Sequence, residues 1–228
     1  MKRYDIFLFD ADNTLFDYDC AEENALKIMF EYCNFDYSEN IRIKYRKINS
    51  EVWASYERNE ITKDELQTLR FKRLFKEIYV FYDTNKFNEK YLYELGKGSF
   101  LIEGALEICK KIVSCNKKIY IVTNGILTTQ KSRIEHSMIK NYISNFFVSE
   151  FIGYQKPHKK YFDYVFSNIT QINKDKILII GDNILSDILG GNNSGIDSCW
   201  FNLYGKKNDT EVIPTYEINH LNELNKFI

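Results

Sequence analysis

The sequence lacks the features that mark several large classes of protein. Its apolar runs fall far short of the ~18 residues that a membrane-spanning helix needs, so no transmembrane segment is predicted. The N-terminal stretch MKRYDIFLFD holds a short apolar run that Asp10 interrupts, which is not the pattern of a secretory signal peptide. The formal net charge is −1 at pH 7, which gives no strong field to attract nucleic acid or an anionic membrane.

Cysteine is too sparse and too irregularly spaced for a disulfide framework. The chain has five cysteines, an odd number, and none of them forms a Cys-x-x-Cys pair. Reduced and mostly buried thiols explain this usage better than disulfides do. Hydrophobic residues make up 44% and charged residues 28%, as in an ordinary globular protein. Together these observations predict a cytoplasmic protein whose partners include neither nucleic acid nor a membrane.

A short apolar run near the N-terminus ends in two acidic residues. Residues 6–9 are Ile-Phe-Leu-Phe, and Asp10 and Asp12 follow with one residue between them. Such a run predicts a strand buried on both faces of a parallel sheet, with a buried helix as the alternative. Carboxylates at the end of a buried strand cost free energy unless a cation or hydrogen-bond donors face them. We therefore expect positive or donating groups close to these two aspartates.

Two later apolar runs end in the same way. Residues 118–122 lead into Thr-Asn-Gly at 123–125, and residues 176–180 lead into Gly-Asp-Asn at 181–183, with Asp187 shortly after. In an open α/β sheet, ligands bind in the crevice outside the carboxyl ends of the strands. One strand that ends in Asp could be a simple turn, but three polar strand ends predict a site.

The order of the predicted elements indicates one fold with an insertion. Residues 17–98 show helical periodicity and no convincing buried strand, with capping-box signatures at Asp19-x-x-Glu22 and Thr62-x-x-Glu65. From residue 99 onward, strands alternate with helices, which predicts a doubly wound parallel sheet. The predicted fold is therefore α/β, with a Rossmann-like core of residues 1–16 and 99–228 and a helical domain of residues 17–98. Further strands are predicted at 119–122, 146–148, 177–180 and 199–201.

The polar groups at the strand ends suit phosphate chemistry. Asp10, Asp182 and Asp187 offer the hard oxygen ligands that Mg²⁺ prefers. Thr123 and Asn124 can donate hydrogen bonds to phosphate oxygens, and Lys156 supplies a compact positive charge. Carboxylates, a divalent ion, hydroxyl and amide donors and one lysine together balance a phosphate dianion. This combination favours phosphoryl transfer, in which positioning and electrostatic stabilisation provide most of the catalysis.

These residues resemble a known set of motifs. Asp-Ala-Asp-Asn-Thr at 10–14, Thr-Asn-Gly at 123–125, Lys-Pro at 156–157 and Gly-Asp-x4-Asp at 181–187 are similar to the four ordered motifs of the haloacid dehalogenase (HAD) superfamily. The helical insertion resembles the C1 cap of that superfamily. The stretches DADNTLF, KPHKKYFDY and GDNILSDILGGNNSGIDSCWFN resemble its pyrimidine 5′-nucleotidase branch, also called the house-cleaning nucleotidases.

The resemblance implies a covalent reaction. Asp10 would be the nucleophile that forms an aspartyl-phosphate, and Asp12 would protonate the leaving alkoxide and then activate water. Thr123 and Asn124 would bind the phosphoryl group, while Lys156 would hold Asp10 and the phosphate together. Dehalogenase members lack the second aspartate and P-type ATPases carry threonine there, so Asp12 favours a phosphatase or a phosphomutase.

The resemblance also implies a cofactor and a substrate class. Mg²⁺ would be held by Asp10, the backbone carbonyl of Asp12, and Asp182, with Asp187 acting directly or through a water. The expected partner is a small phosphorylated metabolite, most simply a (deoxy)pyrimidine nucleoside monophosphate, and the expected state is a monomer or small homo-oligomer. Alternatives are a phosphatase of another metabolite such as a sugar phosphate, a phosphomutase, or a non-catalytic binding protein on the same fold.

Simpler structural interpretations of some residues stay open at the level of sequence. Lys156 has other lysines nearby and could be a solvated surface residue. Asp187 could cap the helix that follows it instead of contacting a metal. Three aromatic residues of the helical insertion could stack on a base, although aromatic stripes more often pack into a core; they are Trp53, Tyr56 and Phe71.

Overall fold

The chain folds as two compact units. The computed structural model describes residues 2–170 and 173–228. The first unit, named here the sheet unit, comprises Met1–Tyr18 and Ser99–Ile228, and the second, the helical unit, comprises Asp19–Gly98. The limits predicted from the sequence lie between residues 16 and 17 and between residues 98 and 99. That the helical unit serves as a cap stays a prediction.

A parallel sheet organises the sheet unit and matches the predicted α/β fold. Its described strands are β1 (Ile6–Phe9), β2 (Lys118–Thr123), β3 (Asn145–Val148), β4 (Ile177–Gly181), β5 (Asp197–Phe201) and β6 (Tyr216–Ile218). The strand order is β3-β2-β1-β4-β5-β6, and every neighbouring pair is parallel. From β1 the chain adds β2 and β3 on one side of β1, and it then crosses back to add β4, β5 and β6 on the other side. The sheet therefore has its topological switch point between β1 and β4, where sheets of this kind bind ligands.

Four helices make up the helical unit. They are α1 (Tyr18–Tyr32, whose first residue belongs to the sheet unit), α2 (Glu39–Glu57), α3 (Lys63–Glu77) and α4 (Thr84–Lys97). Phe71 is fully buried and its ring lies 5.4 Å from that of Tyr45 and 5.0 Å from that of Tyr91. Packing of Phe71 in a core is therefore confirmed. Trp53 and Tyr56 are half-buried and contact each other edge to face.

One of the two predicted capping boxes is present. Thr62 accepts a hydrogen bond from the Glu65 N–H and donates its own N–H to the Glu65 carboxylate, and α3 begins directly after it. The box at Asp19 and Glu22 is wrong, because α1 already begins at Tyr18 and Asp19 lies inside its first turn. Glu22 is buried and accepts a hydrogen bond from the Asn49 side chain, so its carboxylate belongs to the interior of the helical unit.

Helices cover both faces of the sheet, as a doubly wound fold requires. Phe7 and Phe9 of β1 pack on one face among the apolar residues of the first flanking helix, while Leu8 packs on the other face with Phe162. No helix within the described residues is long and apolar enough to span a membrane. The flanking segments are α5 (Ala105–Ser114), α6 (Leu127–His136), α7 (Ser149–Ile152), α8 (Lys159–Ser167), a π-helical turn (Ile184–Ile188), α9 (Leu189–Ser194), and three 3₁₀ segments (Lys140–Tyr142, Lys174–Lys176 and Leu221–Phe227).

A polar contact fixes the start of β5 to the N-terminal segment. Lys2 Nζ and Tyr4 Oη donate hydrogen bonds to Asp197 Oδ2, at 2.6 and 2.5 Å. Partial burial by itself raises the pKa of Asp197, but these two hydrogen bonds outweigh it, and the pKa lies below its usual value. A carboxyl group with a depressed pKa stabilises the fold above its unfolded pKa of about 4 and loses that contribution as the pH falls.

Asp197→Asn should therefore lower the free energy of unfolding at pH 7 by about 1 kcal/mol, the size expected for a partly exposed ion pair. The difference from the wild type should shrink as the pH falls below about 4. Urea denaturation at pH 7, 5 and 3 measures it. Asp163→Asn, which removes an exposed pair with Lys159 on α8, serves as control and should change little. An equal loss at all three pH values would contradict the interpretation.

Candidate active site

The predicted site residues gather at the carboxyl ends of three adjacent strands. Phe9, the last residue of β1, pairs with Ile121 of β2 on one side and with Ile180 of β4 on the other. Asp10 follows β1 directly, and its N–H donates a hydrogen bond of 2.8 Å to the carbonyl of Ile180. Because the three strands are in register, the residues that follow them lie along one edge of the sheet. Thr123 and Asn124 come from β2, and Asp182 from β4.

Three carboxylates converge at this edge. Oxygen atoms of Asp10, Asp182 and Asp187 all lie within 4.8 Å of one another, which is a suitable spacing for ligands of one metal ion. Asp187 is fully buried, Asp10 is 7% exposed, and Asp182 is partly exposed. A cluster of this kind, removed from water, is unfavourable unless positive charge balances it.

Lys156 supplies part of that balance. Its ammonium donates hydrogen bonds to Asp10 Oδ1 at 2.6 Å, to Asp187 Oδ1 at 2.6 Å and to the carbonyl oxygen of Val122 at 2.7 Å. An ammonium has three N–H donors, and here each one has an oxygen partner within the protein. The side chain is 2% exposed, so the alternative interpretation of Lys156 as a solvated surface residue is wrong.

The side chain of Asn124 fixes the backbone of Lys156 through two hydrogen bonds. Its Nδ2 donates to the carbonyl of Lys156 at 3.0 Å, and its Oδ1 accepts from the Lys156 N–H at 2.8 Å. Asn124 is predicted from its sequence motif to be a phosphate ligand, and the motif gives no sign of this structural contact. Thr123 Oγ1 accepts a hydrogen bond of 3.0 Å from the N–H of Gly125, which closes the turn after β2. That Thr123 and Asn124 bind phosphate stays a prediction.

Burial and mutual repulsion shift the pKa values of the charged groups in the cluster. Burial, reinforced by repulsion from Asp187, raises the pKa of Asp182 to about 7. Burial also raises the pKa of Asp10 well above its usual range, although the charge of Lys156 acts in the opposite direction. For Lys156, burial alone lowers the pKa, but the carboxylates of Asp10 and Asp187 outweigh it and raise the pKa above its ordinary value.

Asp187 is closely packed against the end of β4. A Cβ atom on Gly181 would lie 2.2 Å from Asp187 Cγ, so only glycine lets this carboxylate pack against the end of β4. Asp187 Oδ2 accepts a hydrogen bond of 3.2 Å from the N–H of Asn183. Asn183 in turn caps the π-helical turn, and Trp200 Nε1 donates to the carbonyl of Asp182 at 2.9 Å. These contacts fix both acidic residues of the loop.

The donor set and its surroundings fit a divalent magnesium ion. All three converging ligand groups are carboxylates, the hard oxygen donors that Mg²⁺ prefers. Burial, together with repulsion between the carboxylates, raises the pKa values of Asp10 and Asp182, and a bound cation would offset both effects. Direct contact between Asp187 and a metal stays a prediction, since Asp187 already pairs with Lys156.

The carboxyl group of Asp12 lies among side chains that sequence analysis did not identify. Gln130 Nε2 donates a hydrogen bond of 2.7 Å to Asp12 Oδ2, and Arg133 Nη1 pairs with Asp12 Oδ1. Both residues belong to α6, the helix that follows Thr123 and Asn124. The signal available in the sequence is the spacing Gln130-x-x-Arg133, which places two polar side chains on one face of a helix.

Comparison with known proteins agrees with this geometry. A model of the haloacid dehalogenase-like hydrolase family matches residues 7–201, which include every predicted site residue. The chain belongs to this family.

Individual HAD-like hydrolases resemble the chain over nearly its whole length. YfnB of Bacillus subtilis is 41% identical, over 98% of this chain and 95% of the relative. Two further relatives bear the name pyrimidine 5′-nucleotidase. PynA of Streptococcus pneumoniae is 32% identical over 97% of this chain and 93% of its own, and YjjG of Escherichia coli is 31% identical over 99% and 98%.

A solved structure of a HAD-like hydrolase has the same fold. The crystal structure of YfnB from Bacillus subtilis, bound to magnesium, superimposes with a TM-score of 0.94 at 40% identity. The match covers 99% of this chain and 98% of that one. The predicted α/β fold and the predicted family are therefore both confirmed.

The tight contact at Gly181 gives a direct test of the packing of this HAD-like site. Gly181→Ala should displace the carboxyl group of Asp187 and lower the free energy of unfolding by about 1–3 kcal/mol, the usual cost of overpacking. Urea denaturation measures this loss. In an Asp187→Gly background the whole clashing side chain is gone, including the Cβ atom that would lie 2.5 Å away, so Gly181→Ala should cost much less there. The same cost in both backgrounds would show that the contact does not limit residue 181.

Proposed function

We propose that the protein is a Mg²⁺-dependent phosphomonoesterase that acts on nucleoside 5′-monophosphates, with pyrimidine nucleotides preferred. The observation that carries the proposal is the cluster of Asp10, Asp182 and Asp187 at the switch point of the sheet, together with the buried Lys156 that pairs with Asp10 and Asp187. Acidic residues and a lysine in this arrangement suit the binding and transfer of a phosphoryl group. Membership of the HAD-like hydrolase family supports a hydrolytic outcome.

The first chemical step uses Asp10 as the nucleophile. One carboxylate oxygen forms a bond to phosphorus, the bond from phosphorus to the ester oxygen breaks, and the leaving alkoxide takes a proton from Asp12. Lys156 holds the nucleophile in place, because its ammonium donates a hydrogen bond of 2.6 Å to Asp10 Oδ1. A fixed nucleophile reaches the transition state with less loss of freedom than a mobile one.

The second step restores the enzyme. Asp12 accepts a proton from a water molecule whose oxygen forms a bond to phosphorus, the bond from phosphorus to the Asp10 oxygen breaks, and inorganic phosphate leaves. General acid–base catalysis of this kind contributes typically ~10²–10⁴-fold. The same residue serves in both steps because the proton that it gives in the first is replaced in the second.

Residues of the cluster would hold the metal ion. Asp10, the backbone carbonyl of Asp12, and Asp182 are the proposed ligands, with Asp187 in direct contact or acting through a water. Bound Mg²⁺ supplies positive charge that stabilises the negative charge developing on the phosphoryl oxygens. The magnesium in the crystal structure of the similar YfnB supports this choice of ion.

Binding of the phosphoryl group is assigned to Thr123, Asn124 and Lys156. The three N–H donors of Lys156 already have oxygen partners, so a direct bond to phosphate requires that one of these be exchanged. Otherwise Lys156 contributes through its charge. The side chain of Asn124 keeps the backbone of Lys156 at the site in either case.

The substrate class rests on the relatives. PynA and YjjG, both named pyrimidine 5′-nucleotidases, each match this chain over more than nine-tenths of its length. A small phosphorylated metabolite in a cytoplasmic setting is the proposed partner, handled by a monomer or small homo-oligomer. A phosphatase of another metabolite and a phosphomutase share the same first step, so substrate and product analysis distinguishes them.

Release of inorganic phosphate from a substrate panel tests the proposal. The panel contains dUMP, dTMP, UMP, purine monophosphates, sugar phosphates and a nitrophenyl phosphate, each with Mg²⁺ and with EDTA. We expect EDTA-sensitive release that is fastest on pyrimidine monophosphates. Asp10→Asn should fold as the wild type does and lose more than about 99% of turnover, because its amide cannot act as nucleophile.

Other outcomes of the panel have definite meanings. Metal-dependent release that is fastest on sugar phosphates would keep the chemistry and reject the nucleotide preference. Isomerised product without free phosphate would identify a phosphomutase. Turnover by Asp10→Asn near the wild-type rate would remove Asp10 as nucleophile. Asp163→Asn, an exposed substitution on α8, controls for non-specific effects of removing a carboxylate.

A further inference from the structure

The carboxyl group of Asp12 is held from two sides by one helix. Gln130 Nε2 donates to Oδ2 at 2.7 Å, and Arg133 Nη1 donates to Oδ1. Gln130 and Arg133 are three residues apart on α6, so they project from the same side of the helix. Two donors on the two oxygens fix the plane of the carboxyl group as well as its position.

Both donors are themselves immobilised by packing. Arg133 is fully buried and Gln130 is 2% exposed. The guanidinium of Arg133 lies over the ring of Phe16, 4.8 Å from its centroid, and 5.9 Å from that of Tyr18. A buried and stacked guanidinium has little rotational freedom left, so it restricts the movement of the Asp12 carboxyl group to which it is bonded.

Gly125 provides the space that Gln130 occupies. A Cβ atom at position 125 would lie 2.4 Å from Gln130 Nε2 and 2.8 Å from its Cγ. Any larger residue there would move the amide that contacts Asp12. The turn after β2 therefore has two functions: it carries Thr123 and Asn124, and it leaves room for Gln130.

We propose that Gln130 and Arg133 are positioning residues that aim the Asp12 carboxyl group for proton transfer. The proposal rests on the function proposed above, in which Asp12 protonates the leaving alkoxide. Each carboxyl oxygen has two lone-pair sites, so one hydrogen bond to each leaves room for a proton to be exchanged. An acid that is misaligned delivers its proton less effectively, and misplacement by about 1 Å can cost about 10²-fold.

A purely structural role is the competing explanation. Asp12 could simply be the counter-charge that makes a buried Arg133 tolerable, since an unpaired buried charge destabilises a fold. In that case loss of Gln130 or Arg133 would reduce stability, or would impair all substrates alike. A role in positioning predicts instead a loss that depends on how much the leaving group needs a proton.

The test compares two substrates that differ in leaving group. A nucleoside 5′-monophosphate releases an alkoxide that needs a proton, whereas nitrophenyl phosphate releases a phenolate that leaves readily without one. The value of kcat/KM reports the steps up to departure of the leaving group. The variants are Gln130→Met and Arg133→Met, with Arg133→Lys as the conservative replacement and Lys131→Met, an exposed change on the same helix, as the control.

We expect the two methionine variants to lose about tenfold or more in kcat/KM on the nucleotide and less than about threefold on nitrophenyl phosphate. Arg133→Lys should recover part of the nucleotide activity, because it keeps a positive donor. Inorganic phosphate should inhibit every variant with a constant within about twofold of the wild type, since the phosphate ligands are unchanged. Lys131→Met should match the wild type on both substrates.

Equal losses on the two substrates, or no loss on the nucleotide, would overturn the proposal. If Arg133→Met does not fold, Gln130→Met decides the question, because it removes a neutral donor and leaves the buried charge pair in place. A wild-type protein that hydrolyses neither substrate would overturn the proposed function and this inference with it. Equal losses in an active wild type overturn the positioning role alone.

Discussion

Lys156 places an ammonium group inside the protein, 2% exposed, with oxygen atoms of Asp10, Asp187 and Val122 around it. A buried charge persists only when its surroundings compensate it, so the lysine and the carboxylates require one another. Removal of either would leave the other without its partner in a low-dielectric interior. The same contact also fixes Asp10, the proposed nucleophile. The contact between Lys156 and Asp10 therefore both compensates the buried charge and positions the proposed nucleophile.

The parallel sheet makes this compensation possible. Alignment of β1 with β2 and β4 brings residues far apart in the chain to one edge, and the crossovers leave a crevice there. Two glycines then permit the closest approaches, Gly181 beside Asp187 and Gly125 beside Gln130. Each would clash if it carried a Cβ atom. The site therefore requires glycine at these two positions, where a side chain packs directly against the backbone, as well as the polar residues of the turns.

Much of this site could be predicted from the sequence because its residues directly follow buried apolar runs, as Asp10, Thr123 and Asp182 do. Strand periodicity and strand ends are local signals. Gln130 and Arg133 were missed, because a polar pair on a helix looks like a solvated face until the fold buries it. The bond from Asn124 to the backbone of Lys156 is equally invisible, since it joins segments 32 residues apart. The predicted capping box at Asp19 failed because the helix begins at Tyr18, two residues earlier than the pattern indicates.

In the proposed reaction, Asp10 carries the phosphoryl group between the two steps. The most direct test is to quench the enzyme during turnover of a pyrimidine monophosphate, reduce it with borohydride and map the peptides by mass spectrometry. Because borohydride reduces an aspartyl-phosphate to homoserine, we expect that mass change at position 10 only when substrate and Mg²⁺ are both present. Active turnover with an unmodified Asp10 would contradict it.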